Sequence, residues 1–519
     1  MTSHTKKKFV TTYFDRTKLI FIAKGILVGI TAGLVVSLFR VAIEKMFHLT
    51  KTIYYFLHSS PIWLLPWLGI SILLAIILGQ FIKSDPFIKG SGIPQVEGQI
   101  AGTLDGDWFS VLWKKGLAGI LAISSGLFLG REGPSIQLGA AAGQGINQLL
   151  KGNTMSKKVL LASGAGAGLS AAFNAPFAGL LFVLEEIQHN FSPVVLLTTL
   201  SATTTANFIS LHFFGLTPIL SFGSITRLPL KYYWLLIVFG IFLGIAGVIY
   251  QKTLLGMPRF YQLFKKIPNY YYGIIPLVLV IPIGFAWPNL LGGGSEVIFI
   301  LADNKLPLLT LSGILLLRFA FSMISYGSGL PGGIFLPILS LGAILGTWFA
   351  SASFSYLNIN DSFTRNFLIL GMAGLFTAIS KAPLTACILI TEMVGDFQQL
   401  MTIAVVSLVA YIVADLLGAS PIYEALLEKM TGEPEENIAG NKEIIEISLH
   451  TGCDLDGKML KETDFPVDCL VASITRGEKE FIPKGDTLLL AGDRLNILTH
   501  EKNVAHIKSQ LQKQTNHYF

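Results

Sequence analysis

Charge is what this sequence has least of. Only 13% of its 519 residues are Asp, Glu, Lys or Arg, where a soluble globular chain carries roughly a quarter. With 52% hydrophobic residues and a mean hydropathy of +0.61, most of the length is excluded from a soluble fold. Cysteine is also scarce. Cys387, Cys453 and Cys469 show no pairing or ligand spacing, so neither a disulfide framework nor a metal site is expected. No basic stripe interleaved with aromatics is present, so nucleic acid is not expected as a partner. The net charge of +6 reads instead as membrane topology. There is no His-Glu-x-x-His, no pair of aspartates on facing apolar runs and no nucleophile–base spacing. An enzyme is therefore not expected, and neither is a cofactor.

Apolar runs and glycine are what it has instead. Runs long enough to span a bilayer lie at about 19–43, 62–82, 233–250, 268–287 and 307–325. Shorter or interrupted ones lie at about 117–129, 135–150, 158–184, 193–213, 334–350, 367–379 and 383–418. The breaks are Gly/Pro clusters, in keeping with 52 Gly and 22 Pro. Broken helices survive at membrane depth only where their ends face a cavity or the protein interior, and in transporters they mark the binding site. Lys6, Lys7, Lys8, Arg16, Lys18 and Lys24 precede or enter the first run, which predicts a retained cytoplasmic N-terminus rather than a cleaved signal.

The chain also repeats. Residues 164–185 (GAGAGLSAAFNAPFAGLLFVLE) lie over 371–392 (GMAGLFTAISKAPLTACILITE), matching Pro176 with Pro383 and Glu185 with Glu392. Residues 130–143 (GREGPSIQLGAAAG) lie over 333–346 (GIFLPILSLGAILG), matching Pro134 with Pro337. Two blocks in the same order indicate a duplicated membrane unit, about 20–215 and 230–425. The departures matter as much as the matches. Glu132 faces Phe335 and Glu186 faces Met393, so the first half adds two carboxylates that the second lacks. That asymmetry points to a proton route added to an anion site.

Three Gly/Pro stretches carry the chemistry. In Gly130-Arg131-Glu132-Gly133-Pro134, an acid sits between apolar runs where a carboxylate is expensive. Gly133-Pro134 opens a helix, whose N-terminus offers unpaired N–H groups and partial positive charge to an anion. Glu132 can occupy such a site when ionised and vacate it when protonated; the plainer alternative is a capping glutamate paired with Arg131. Gly90-Ser91-Gly92-Ile93-Pro94 presents the Ser91 hydroxyl at another helix start, as an anion donor or as a cap. Residues 327–337 (GSGLPGGIFLP) are glycine-dense before an apolar helix. Either the N–H groups of Ile334 and Phe335 point at a ligand, or the small residues serve close helix packing.

Together these stretches resemble the CLC family of chloride channels and chloride/proton antiporters, over roughly residues 20–425 and with Tyr423 at the end. The resemblance implies an all-α polytopic membrane fold of two inverted repeats with broken helices, acting as a homodimer with one pore per subunit. It implies that Ser91 and Tyr423 are side-chain ligands of the central chloride and that Ile334 and Phe335 are backbone ligands. Glu132 resembles the external gating glutamate, flanked by Gly130, Arg131, Gly133 and Pro134. Glu186 resembles the internal proton-transfer glutamate. Gln95 stands where many relatives have Glu. Glu97 and Lys115 match a buried acid and base of some relatives, and are expected to pair because either alone is costly. An acid at Glu186 favours an antiporter, with a passive Glu132-gated channel as the alternative. Fluoride exporters depart at the Gly-Arg-Glu-Gly-Pro and Ser91 motifs, which this chain keeps.

After Tyr423 the pattern turns polar. Residues 424–440 read as a short helix and linker; strands are expected at 443–449, 470–474, 487–490 and 494–498, the last two as a hairpin around Gly492-Asp493. This α+β tail resembles the C-terminal lobe of RCK potassium-conductance regulators through Gly457-Lys458, Arg476-Gly477, residues 482–486 and residues 492–495. Such lobes dimerise and sometimes bind small ligands. The expected division is 1–430 transport domain, 431–440 linker and 441–519 regulatory lobe, with both termini cytoplasmic at the cell membrane.

Overall fold

The computed structural model describes residues 16–188, 191–223, 225–357, 359–431, 442–450, 453–463, 465–466, 469–476, 479–500, 507 and 511. The N-terminal lysines 6–8, the expected linker at 431–440 apart from Thr431, and Gly477 lie outside them. The chain divides into two compact units, Met1–Thr431 and Gly432–Phe519.

The first unit is helical throughout its described residues. Long apolar runs form α1 (Arg16–Ser59) and α2 (Leu64–Ser84). The Gly/Pro stretches then cut the chain into α3 (Ile93–Ala101), α4 (Trp108–Ser124), α5 (Glu132–Leu149) and α6 (Thr154–Phe173). After α7 (Pro176–Phe182) comes a π-helical turn, Val183–Ile187, and α8 (Pro193–Phe214) follows. The second half holds α9 (Tyr233–Tyr261), α10 (Ile274–Ala286), α11 (Ser295–Asp303), α12 (Leu308–Gly327) and α13 (Phe335–Leu357). It ends with α14 (Thr364–Ser380), α15 (Pro383–Val394), α16 (Leu400–Leu416) and α17 (Ile422–Thr431). The apolar stretch 383–418 is thus two helices, parted at the left-handed Gly395. Nine helices among the described residues are long and apolar enough to cross a membrane. Of these, α13 and α14 are 83% and 78% buried within the protein, so they form an inner layer that the more exposed spans enclose.

The repeat reappears as equivalent contacts. A Cβ on Gly139 would meet the Gly164 carbonyl, and one on Gly342 would meet the Gly371 carbonyl. Only glycine lets α5 approach α6, and α13 approach α14, so closely. Helices α6 and α14 both end on a left-handed residue other than glycine, Asn174 (φ 53) and Lys381 (φ 65), each followed by Ala-Pro. Glu185 accepts from the N–H groups of Leu384 and Thr385 at 3.0 and 2.6 Å, capping α15. Glu392 accepts from those of Phe177 and Ala178 at 3.2 and 2.8 Å, capping α7. Each half therefore caps the other's helix with its matched glutamate, the exchange that a two-fold relation produces.

The second unit contains an antiparallel sheet ordered β1-β4-β2-β3, built from β1 (Lys442–Ser448), β2 (Cys469–Arg476), β3 (Lys479–Phe481) and β4 (Arg494–His500). Three of the four expected strands are present, but the hairpin between 487–490 and 494–498 does not form. Leu488 instead bridges Met459, and Leu489 exchanges backbone hydrogen bonds with Gly457 and Lys458. Strand β4 lies between β1 and β2, where Ile445, Ile447, Leu495 and Ile497 enter the tail's own core.

Candidate functional site

The three Gly/Pro stretches meet through their backbones. Gly130 and Gly333 exchange N–H···O bonds in both directions at 2.7 Å. Gly90 donates to Gly329 at 3.1 Å and accepts from Gly332 at 3.0 Å. A Cβ on Gly133 would strike Ser91, and one on Gly333 would crowd the Gly133 N–H. The close-packing alternative raised for these glycines holds: they pack closely, and in doing so they bring the first turns of α3, α5 and α13 together. The first-turn N–H groups of a helix have no intrahelical partner and carry partial positive charge. Tyr423 joins from the first turn of α17, which packs on α3.

Four residues expected around the anion take distinct positions. Ser91 is buried, and its Oγ accepts the Ile93 N–H at 3.3 Å, beside the Tyr326 hydroxyl. The Tyr423 hydroxyl is buried with no protein partner among the described residues. Ile334 accepts the Ile338 N–H, placing Ile334 and Phe335 in the entry turn of α13. The Phe335 ring is wedged between Phe173 and Phe376, with centroids 5.3 and 4.4 Å away.

Glu132 is the first residue of α5, one position before the expected helix start, and is wholly buried. Its carboxylate turns back over Gly130, where a Cβ would overlap it, and faces the Leu336 N–H in the first turn of α13. Neither oxygen closes a hydrogen bond of normal geometry. Arg131 is not its ion-pair partner; it pairs with Glu44 at 2.7 Å. An acid thus stands at a helix N-terminus facing backbone N–H groups, with no ion-pair partner of its own among the described residues.

Glu185 and Glu186 diverge. Glu185 caps α15, whereas Glu186, in the π-helical turn, is buried with Oε1 unpartnered. Such turns inside helices recur at functional sites. Glu186 faces Tyr423 and Glu424.

The expected Glu97–Lys115 pair does not form. The Lys115 Nζ donates to the carbonyls of Ile88 and Gly90 at 2.8 and 2.7 Å. These carbonyls lead into the Ser91 turn and have no following helix to bond, so they supply the ammonium with strong acceptors. Both Glu97 oxygens are buried without a partner among the described residues, facing Glu186 and Glu424. Gln95 donates to the Lys89 carbonyl at 2.7 Å, bracing the same loop.

Two site residues were not singled out from the sequence. Tyr326 packs its hydroxyl against Gly90 and Ser91. Arg318, fully buried in α12, donates to the carbonyls of Leu290, Gly292 and Gly293 at 2.9, 3.1 and 2.6 Å and lies 4.2 Å over the Phe128 ring. It is the lone charge in an apolar span, and that signal marks it for function in any membrane helix.

Comparison with known proteins bears on this arrangement directly. Residues 72–415 match the family model described as voltage gated chloride channel. The chain belongs to that family. Residues 444–512 match the TrkA-C domain. The H(+)/Cl(-) exchange transporter ClcA of Yersinia pestis is 32% identical over 440 residues, covering 81% of this chain and 90% of the relative. The protein of the same name from Salmonella arizonae is 31% identical over 440 residues, covering 83% and 92%. The crystal structure of a slow cyanobacterial Cl-/H+ antiporter is similar at TM-score 0.75 and 29% identity, covering 80% of this chain and 99% of that one. A CLC-type fluoride/proton antiporter shares the fold at TM-score 0.66 and 21% identity, covering 80% and 99%. As a member of this family the chain is a transport protein, not an enzyme.

Proposed function

We propose that this protein exchanges chloride for protons, with Glu132 as the carboxylate that alternates with chloride and Glu186 as a second proton station. One observation carries the reading: Glu132 is buried at the entry turn of α13, its carboxylate facing the Leu336 N–H with no other side chain of the described residues paired to it. An ionised carboxylate there is drawn to the same N–H groups that would hold chloride, and protonation removes the charge on which that attraction depends. Chloride would take N–H donors from Ile334 and Phe335 and O–H donors from Ser91 and Tyr423. In support, the Ser91 oxygen is already engaged as an acceptor, and the Tyr423 hydroxyl has no protein partner among the described residues. Gly130, Arg131, Gly133 and Pro134 would shape the turn that carries Glu132. Lys115 would hold the Ser91 turn, and Glu97 would share the acidic surroundings of Glu186.

The wider assignment follows the relatives, which are named as proton/chloride exchangers. It includes a homodimer in the cell membrane, cytoplasmic termini and two inverted repeats; the reciprocal Glu185 and Glu392 caps support the last. A transport domain at 1–430, a linker at 431–440 and a regulatory lobe at 441–519 fit the two compact units, and the TrkA-C match supports a small-molecule ligand for the lobe.

The test is reconstitution of the full chain in liposomes under a chloride gradient. Uphill proton movement is expected, and Glu132→Gln should pass chloride while coupled proton movement falls by at least about tenfold, as expected for loss of a proton-carrying group. Chloride flux without proton movement in the wild type would make it a passive channel.

A further inference from the structure

A second acid stands behind Glu132 without entering the anion path. Glu44, on α1, accepts with one oxygen from Arg40 Nε at 3.1 Å and from Arg131 at 2.7 Å. The two arginine side chains are 8% and 15% exposed, while that of Glu44 is 46% exposed. Arg40 is further fixed by the Phe214 ring, 3.6 Å below its guanidinium, and by Asn174 Oδ1 at 3.4 Å.

Arg40, Glu44 and Arg131 line a cavity of about 310 Å³ that reaches Gly293 and Leu336. Leu336 is the residue whose N–H faces the Glu132 carboxylate, so the cavity is the mouth on the Glu132 side. Its other charged wall is Glu296, which Lys51 neutralises at 2.7 Å. Arg131 directly precedes Glu132 in the chain, and Arg131 and Arg40 both line this cavity with Leu336, near enough for their charges to act on the Glu132 carboxylate. Both are also bound to Glu44. One half-exposed carboxylate therefore bridges two cations beside the gate, Arg131 being the residue next to Glu132 in the chain.

We propose that Glu44 is a positioning residue for this gate. By sharing its charge between Arg40 and Arg131, it limits how strongly those cations hold ionised Glu132 in the anion path and how strongly they draw chloride into the mouth. The inference rests on the role assigned to Glu132 above. A neutral residue at 44 would leave both guanidiniums without their counter-charge. Ionised Glu132 would then be held more firmly, while protonated Glu132, having no charge, would not. Release of the gate would need more acid. A carboxylate that served only to brace α1 against α5 would affect stability but not this pH dependence.

The experiment uses the full-length protein in liposomes, with chloride turnover followed as pH is varied on both faces together. The wild type is first tested for uphill proton pumping; failure there would count against antiport and leave the turnover profile readable. Glu44→Gln is expected to move the midpoint of acid activation to lower pH by about half to one unit, a Coulomb effect at this range discounted for exposure. Glu44→Asp should restore most of the wild-type profile. In a Glu132→Gln background, Glu44→Gln should leave the pH profile unchanged yet tighten chloride binding by about threefold, for the same electrostatic reason. Should Glu44→Gln fold poorly, Arg40→Gln gives the opposite sign, a midpoint moved toward neutral pH. An unmoved midpoint in a folded Glu44→Gln protein, or a shift of equal size without Glu132, would overturn the proposal.

Discussion

Glu185 and Glu186 are neighbours in sequence with opposite surroundings, because the π-helical turn rotates one side chain outward to α15 and the other inward. Glu185 accepts from two backbone N–H groups and the Thr385 hydroxyl. Glu186 keeps an unpartnered oxygen beside Tyr423. Glu186→Gln is therefore expected to stop proton movement while chloride still passes. Glu185→Gln should keep the coupling ratio and lose about 1–2 kcal/mol of stability, since a neutral amide weakens charge-assisted bonds to a helix start. Coupled flux and a thermal melt on the two variants separate these outcomes; equal loss of coupling in both would contradict the division.

At the scale of elements, the proposed anion site depends on the helix packing behind it. The first turn of α13 faces the site, while farther along Gly342 lies against the Gly371 carbonyl of α14. Both helices belong to the buried inner layer, so there is little room to relax. Gly342→Val should force the pair apart and cost about 1–3 kcal/mol, the usual range for overpacking. Because the displaced helix carries Ile334 and Phe335, chloride affinity should fall along with the melting temperature. Calorimetric titration of chloride checks this, and a destabilised variant with unchanged affinity would show the two ends of α13 to be independent.

Across the whole molecule, two units of different chemistry share one chain. The tail owes its turn at residues 490–493 to a buried acid: Asp493 accepts from Arg476 with both oxygens, at 2.7 Å each, and from the Leu490 N–H at 2.9 Å. Burial pushes this carboxyl up, but the Arg476 and Leu490 bonds and the Arg476 charge outweigh it and hold it below the usual Asp range. A group depressed in the folded state contributes stability above its unfolded value of about 4 and loses it as pH falls through the lower folded value. The tail should therefore stay protease-resistant at neutral pH and become susceptible only below about pH 4. Arg476→Gln should bring that susceptibility on at higher pH. Limited proteolysis of the full protein across pH reads both, and an acid limit unmoved by the substitution would count against the pair.

What the sequence determined by itself was the local chemistry. Gly and Pro at 90–94, 130–134 and 327–337 dictate where helices break and start, and a helix start offers unpaired N–H groups to an acceptor. The departure of Glu132 and Glu186 from their repeat partners Phe335 and Met393 was likewise visible without coordinates. The family followed from these. Partnership was decided only by tertiary structure. Lys115 went to the carbonyls of Ile88 and Gly90 rather than to Glu97, Arg131 to Glu44 rather than to Glu132, and Glu185 to a helix in the other half of the chain. Residues 487–490 likewise paired with 457–460 rather than folding back on β4. The reason is common to all four. A buried charge or backbone group must be satisfied by whatever polar atoms the fold brings within about 3 Å. Those atoms belong to segments whose distance along the chain says nothing about their distance in space.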